Sequence, residues 1–245
     1  MPTLEERYPK EITDLSLVEL KKFLAWCKSR IRKTVPVIGG WAVYAYAPKT
    51  GSIDIDIAID KVDEPPIKGF FKENGFKRKE DEPNVYFKEI TTAAGRTETI
   101  HYDVFYSDHV FKIREASISF NLLDRYSQEI SLEAQPMRVP TKELLLILKV
   151  AAYRDREDNA RMGHFRRPPG ERERLESKIE KDKADIRNLF ETAPDQKRIN
   201  DLLEKTGFKQ AYTQSLKELG IIKTQSKTIT GNASIAKAEE PKDPR

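Results

Sequence analysis

The chain has a single cysteine, Cys27, in 245 residues. One thiol closes no disulfide framework and builds no thiolate zinc site. No apolar run approaches the roughly 20 residues that span a bilayer, so no membrane association is expected. The first residues, MPTLEERYPKE, are charged and lack an apolar core. No signal peptide is therefore expected, and a cytoplasmic location is the default. Charge of one sign is not in excess either. Forty-four Lys and Arg against 40 Asp and Glu leave a formal +4, which permits an anionic partner without demanding one. Internal repeats are also absent. Charge as such is abundant, at 34% of residues against 38% apolar, as in a soluble protein with a highly charged surface, and the length is enough for a well-buried core.

Against that background the segment Val37 to Asp60, VIGGWAVYAYAPKTGSIDIDIAID, stands out. Gly39 and Gly40 are followed by Asp54 and Asp56, which alternate with Ile53, Ile55 and Ile57. Side chains at i and i+2 leave the same face of a strand. Two carboxylates side by side repel each other unless a cation sits between them, and hard oxygen donors of this kind suit Mg²⁺.

The rest of the chain falls into three expected parts. Residues 1–140 carry an amphipathic opening helix (Leu17, Leu20, Leu24, Cys27, Ile31), a strand Val35–Ile38 and a compact helix Trp41–Tyr46. A strand Ser52–Ile59, a polar helix near Pro66–Asn74, and strands Asn84–Glu89 and Thr97–Tyr106 follow. SISF and EISL, between Phe111 and Leu132, give weaker strand signals. Residues 141–222 read as helical. Thr141 caps a helix Glu143–Tyr153 that embeds Lys149, an arginine-rich connection runs from Arg154 to Gly170, and helices Glu171–Glu191 and Gln196–Lys205 complete the part. Residues 223–245 are polar and aperiodic and read as a flexible tail.

Asp103, in IHYDVFYSD, alternates with apolar neighbours and so sits on a strand face; Glu98 and Asp108 are its nearby competitors. A neighbouring strand would place it beside Asp54 and Asp56, giving three carboxylates around a metal pair. Such pairs, about 3.5–4 Å apart, activate an attacking hydroxyl and stabilise the leaving oxygen of an in-line displacement. A glycine pair between strand and helix lets backbone N–H groups approach a triphosphate.

The ordered set of Gly39-Gly40, Ile53-Asp54-Ile55-Asp56-Ile57 and Asp103 resembles the nucleotidyltransferase superfamily with a DNA polymerase β-like core. LLLILKVAAYRDR, with Lys149, and KDKADIRNL, with Asp182 and Asp185, are similar to the AbiEii-type toxin nucleotidyltransferases. Two positions depart from that pattern: Thr50, where many members have an arginine, and Lys183, where an apolar residue is usual. The resemblance implies an α/β (α+β) core, a short mixed sheet flanked by helices, with a helical C-terminal domain. It implies an enzyme that moves an NMP from an NTP such as ATP to an acceptor. Mg²⁺ or Mn²⁺ would be held by Asp54, Asp56 and Asp103. Gly39, Gly40, Ser52 and Lys149 would hold the nucleotide, supported by Asp182 and Asp185. The acceptor would be RNA, tRNA or protein, with an antitoxin as partner. An aminoglycoside-type small-molecule enzyme and a binding module that has lost turnover are the alternatives.

Simpler roles stand beside these. Lys149 can snorkel from a buried helix. Asp182 and Asp185 can be a solvated helix face, with Lys181 and Asp185 an i,i+4 pair. Lys49 can replace the absent arginine. His101, His109 and His164 read as structural or exposed. Arg161, Arg166, Arg167, Arg172 and Arg174 form a charged surface segment, or an RNA contact.

Overall fold

A computed structural model describes residues 3–93, 95–108, 110–113, 116–163 and 169–222. It is a mixed α/β structure. Thr3 and Glu6 form a reciprocal capping box that opens a short helix α1 (Leu4–Arg7). Helix α2 (Lys10–Trp26) buries Leu17, Leu20, Phe23 and Leu24 on one face, as the three–four spacing predicts. It ends in a π-helical turn, Cys27–Ile31, stopped by Arg32 in the left-handed region. Strand β1 (Val37–Ile38) is shorter than expected and leads directly into α3 (Gly39–Tyr46), so the glycine pair is the first turn of that helix.

The central sheet is built from β1, β2 (Asp54–Ile59), β3 (Lys77–Arg78), β4 (Val85–Thr91) and β5 (Thr97–Tyr106), in the order β1-β2-β5-β4-β3. Helix α4 (Glu64–Glu73) connects β2 to β3. The β2–β5 pair is parallel and the other pairs are antiparallel, which gives the expected mixed sheet. Alternation sorts its residues by face. Ile55, Ile57, Ile100, Tyr102 and Val104 are at most 1% exposed and face a core with Phe23, Phe70, Phe71 and Tyr86. Asp54, Asp56, His101 and Asp103 alternate with them and are half-buried.

Two short hairpins follow: β6 (Phe111–Ile113) with β7 (Ala116–Ile118), and β8 (Ser127–Leu132) with β9 (Gln135–Pro140). SISF is strand only as far as Ile118. Ser119 then caps helix α5 (Phe120–Arg125) by accepting from the Leu122 N–H, a local signal that ends the strand pattern. EISL lies in β8 as expected.

The expected connection from Arg154 is helical as far as Gly163. Helix α6 (Lys142–Gly163) runs ten residues past Tyr153, stabilised by ion pairs such as Arg154–Glu218 and Arg156–Asp182 that the local sequence does not reveal. Helices α7 (Pro169–Glu191) and α8 (Gln196–Thr206) match the expected pair, and α9 (Lys209–Glu218) adds a further one. Helix α6 packs on α3, α7, α8 and α9, and a continuous hydrophobic cluster extends from Leu17 to Leu219. His109, His164, Arg166, Arg167 and the 223–245 tail lie outside the described residues. No helix among the described residues is long and apolar enough to cross a membrane.

Phe71 stacks on Tyr86 and packs edge-on or tilted against Phe70, Phe76 and Tyr102 beneath the sheet. Phe71→Ala should cost about 3–5 kcal/mol in equilibrium denaturant unfolding. A loss under about 1 kcal/mol would show that the helix α4 layer does not support the sheet.

Candidate active site: a carboxylate cleft closed by helix α7

Parallel pairing places Asp54 opposite His101 and Asp56 opposite Asp103. Directly paired residues share a face, so the three carboxylates leave the same side of the sheet, with Asp103 beside Asp56. Ser16 fixes the entry to β2. Its hydroxyl donates to the Ile53 carbonyl (3.0 Å) and accepts from the Trp41 indole N–H (3.1 Å), tying α2 and α3 to the residue before Asp54.

The glycine pair lies against this array. Gly39 has φ +66°, and a Cβ there would stand 1.8 Å from the Asp56 Oδ2 atom. A Cβ on Gly40 would meet the Ser52 hydroxyl at 2.5 Å. Both glycines therefore make room for specific side chains, and Gly39 also adopts a backbone conformation that other residues resist.

Helices α6 and α7 cover the carboxylates with cations. Residues 174, 178, 181, 182 and 185 recur at helical spacing along α7. The Lys178 ammonium lies 2.8 Å from the Asp54 Oδ2 atom. Lys149, on α6, is buried with its ammonium 2.7 Å from Asp185 and 3.2 Å from Asp182. Arg156 also pairs with Asp182. Lys181 pairs with Asp185 at 2.6 Å and lies 3.5 Å from the Thr50 carbonyl. Tyr8, just after α1, lies beneath Lys181, whose ammonium is 5.6 Å from its ring centre. Tyr8, Gly40, Ser52, the three sheet carboxylates, Lys149, Arg156, Lys178, Lys181 and Asp182 line one narrow cleft.

The charges perturb one another as this crowding requires. Burial, then the neighbouring Asp56 and Asp54 charges, push Asp103 up to about 7. Asp56 is raised by burial and by Asp54. Burial acts the same way on Asp54, but the Lys178 ammonium and its hydrogen bond outweigh it and hold that carboxyl below the ordinary range. Asp182 is also desolvated, and Arg156 and Lys149 bring it below the ordinary range. Burial lowers Lys181 despite Asp185, whereas the Asp185 and Asp182 charges overcome burial and raise Lys149. The Tyr8 phenol is pushed up to about 12 by burial and by Asp54 and Asp182.

Several expectations change here. Asp182 and Asp185 are each 1% exposed, so the solvated-face reading of the second acidic motif is wrong, although its Lys181–Asp185 pair is present. Asp182 lines the cleft, and Asp185 holds Lys149 and Lys181. Lys49 does not take the place of the absent arginine: it pairs with Glu191 at 2.5 Å, and Lys181 is the cation near Thr50. Glu98 pairs with Ile90, five positions along β5 from Asp103. Lys178, Arg156 and Tyr8 had no assigned role in the sequence reading. For Lys178 the available signal was its four-residue spacing from Asp182.

The donor chemistry of Asp54, Asp56 and Asp103 fits a hard divalent cation, and their mutual repulsion is what such a cation relieves. As the side chains stand, no three His, Cys, Asp or Glu groups among the described residues are spaced to close on one metal ion.

No family model and no curated protein matches this sequence. Among solved structures, the chain is similar to an antigenic nucleotidyltransferase-like protein from Paracoccidioides brasiliensis. The two share 11% identity over 84% of this chain and 94% of that one, with a TM-score of 0.42. It is also similar to the antibiotic-resistance factor ANT(2'')-Ia, at 13% identity over 86% and 99% of the two chains and a TM-score of 0.46. A third similarity is to the lincosamide antibiotic adenylyltransferase LnuA in its lincomycin-bound form, at 15% identity over 74% and 98% and a TM-score of 0.41.

Two outcomes follow from the geometry. Gly39→Ala should destabilise the fold by about 1–3 kcal/mol in denaturant unfolding, because it strains the backbone and displaces Asp56. An unchanged midpoint would show that the cleft yields freely at that position. Asp103 should also leave a pH signature. Its folded carboxyl titrates at about 7 against an ordinary 3.8, so the folded chain retains a proton that the unfolded chain releases. That contribution is complete below about pH 4 and is lost as pH rises through about 7. Asp54 and Asp182, shifted downward, act in the opposite sense but only below about pH 4. Between about pH 5 and about pH 8 Asp103 therefore draws the melting temperature of metal-free protein down as pH rises, against His101, whose burial-lowered imidazole acts in the opposite sense, and Asp103→Asn should remove the downward contribution. Equal slopes in the two proteins would contradict the assignment.

Proposed function

We propose that this protein is a metal-dependent nucleotidyltransferase that moves an NMP from an NTP to an acceptor hydroxyl and releases pyrophosphate. The observation that supports it is the register of β2 and β5, with Asp56 opposite Asp103 and Asp54 two residues away on the same face. The start of α3 adjoins this array, with Gly39 against Asp56 and Gly40 against Ser52.

Asp54 and Asp56 would hold Mg²⁺ or Mn²⁺, with Asp103 completing the donor set. When bound, these ions neutralise the charge on the entering and leaving oxygens. The chain's own groups do the rest. The N–H groups of Gly39 and Gly40 present the positive end of α3 to the triphosphate, and no Cβ stands between. Ser52 and Lys149 position the phosphates, and Asp182 and Asp185 hold the Lys149 ammonium in place. Asp103 takes the proton of the acceptor hydroxyl, and its elevated carboxyl suits it to act as a base near neutral pH. The acceptor oxygen bonds to the α-phosphorus as the bond from phosphorus to the pyrophosphate oxygen breaks.

The resemblance to toxin-type enzymes makes RNA, tRNA or a protein side chain the first acceptors to test, with an antitoxin as the corresponding partner. An aminoglycoside is the next. A pure binding module has no use for three carboxylates gathered on one face against their own repulsion.

Incubation with each α-labelled NTP and Mg²⁺ or Mn²⁺ tests this reading, with total RNA, protein extract and an aminoglycoside offered separately. Label should pass to one acceptor class. Asp54→Asn and Asp56→Asn should abolish transfer, and Asp103→Asn should lower it about 10²–10⁴-fold. Transfer that survives in the Asp54→Asn/Asp56→Asn double variant would overturn the site. NTP binding without transfer to any acceptor would favour a binding module.

A further inference from the structure

We propose that Lys178 is a built-in counter-cation of the carboxylate cleft. It occupies the divalent-metal position on Asp54 while the nucleotide is absent, and passes to the substrate triphosphate when the metal binds. The inference rests on the metal-dependent reading above and assigns a role to a residue which that reading leaves without one.

Three observations carry it. The first is where the cations of the cleft are committed. Lys149, Arg156 and Lys181 pair with Asp182 and Asp185, the acidic residues of α7 itself. Lys178 reaches across to the sheet and pairs with Asp54 at 2.8 Å. The second is the shared cleft, which Lys178 lines together with Asp54, Asp56 and Asp103.

The third is its place on α7. Residues 170–174 are exposed, Ile179 is buried, and Lys181, Asp182 and Asp185 are at most 4% exposed. Lys178 stands at this transition with its side chain 26% exposed. Its flexible four-carbon stem can therefore swing from Asp54 toward solvent without unpacking the helix. The side chains of Lys149 and Lys181, at 10% and 5% exposure and held by two carboxylates and one respectively, lack that freedom.

Simple electrostatics requires the exchange. A divalent ion held by Asp54 would stand beside the ammonium that now pairs with its Oδ2 atom. Two cations so placed repel each other, so metal loading releases Lys178. The incoming triphosphate then supplies the nearest concentration of negative charge. The ammonium would donate to it, which leaves Asp54 free to hold the ion.

The test titrates Mn²⁺ alone into the full chain, following the resonance of the free ion, and then inorganic triphosphate at saturating Mn²⁺. Relative to the unsubstituted protein, Lys178→Met should bind Mn²⁺ about tenfold more tightly, because the competing cation is gone. It should bind triphosphate about tenfold more weakly, because a charged donor is lost. Lys178→Arg keeps the charge and should stay close to the unsubstituted protein in both. Circular dichroism and a melting curve establish that each variant is folded, and Lys178→Gln replaces the methionine variant if it is not. Equal Mn²⁺ affinity in the two proteins, or weaker affinity in Lys178→Met, would overturn the counter-cation role and leave the metal site standing. Tighter Mn²⁺ binding with unchanged triphosphate affinity would overturn the transfer to the phosphates. Failure of both proteins to bind Mn²⁺ would overturn the metal-dependent reading, and this inference with it.

Discussion

Crowded negative charge is the constraint on which the rest of this structure depends. Asp54, Asp56 and Asp103 leave one face of two paired strands, and Asp182 and Asp185 are buried nearby. Such a group persists in a folded chain only with cations of matching placement. The long helices α6 and α7 supply them. Lys149, Arg156, Lys178 and Lys181 approach the acids from one side, and the hydrophobic cluster that joins these helices to the sheet keeps the opposed charges in register. The aromatic layer on the other face of the sheet, the Ser16 link and the glycine start of α3 hold the acids to their positions.

Balance in the cleft is uneven. Asp54 has an ammonium of its own, whereas Asp56 and Asp103 share their neighbours' field and rise as a result. One carboxyl is therefore kept ionised and another is ready to carry a proton. In the proposed reaction those are the states required of a metal ligand and a base. Environment thus separates chemically identical side chains into different protonation states.

The strand half of this arrangement was legible in the sequence. Ile53-Asp54-Ile55-Asp56-Ile57 and Tyr102-Asp103-Val104 alternate cleanly, and alternation fixes which side chains share a face. The partner strand is not fixed by alternation, and the fold supplies it in the parallel pairing of β2 with β5. The helical half was far less legible. Charges spaced by four on a helix look the same in sequence whether water or another helix covers them, so for Asp182 and Asp185 a solvated face stood beside the supporting role that the resemblance implied. Lys178 and Arg156 acquire meaning only through partners across the fold, at Asp54 and Asp182. The true length of α6 was hidden for the same reason. Beyond Tyr153 its sequence loses apolar periodicity, and tertiary ion pairs sustain the helix in its place.

The acids of β2 and β5 all precede residue 141, and the cations that face them all follow it. Neither stretch carries a neutral site by itself. The strand portion cut free would present a naked acidic face, and the helices alone would bury lysines with less to oppose them. The two stretches are consequently not interchangeable modules in the evolutionary sense. A recombination event that grafted a different helical partner onto this sheet would have to bring its own lysines and arginines, at matching positions, in the same step. A charge changed on one stretch therefore leaves a charge on the other with less to oppose it.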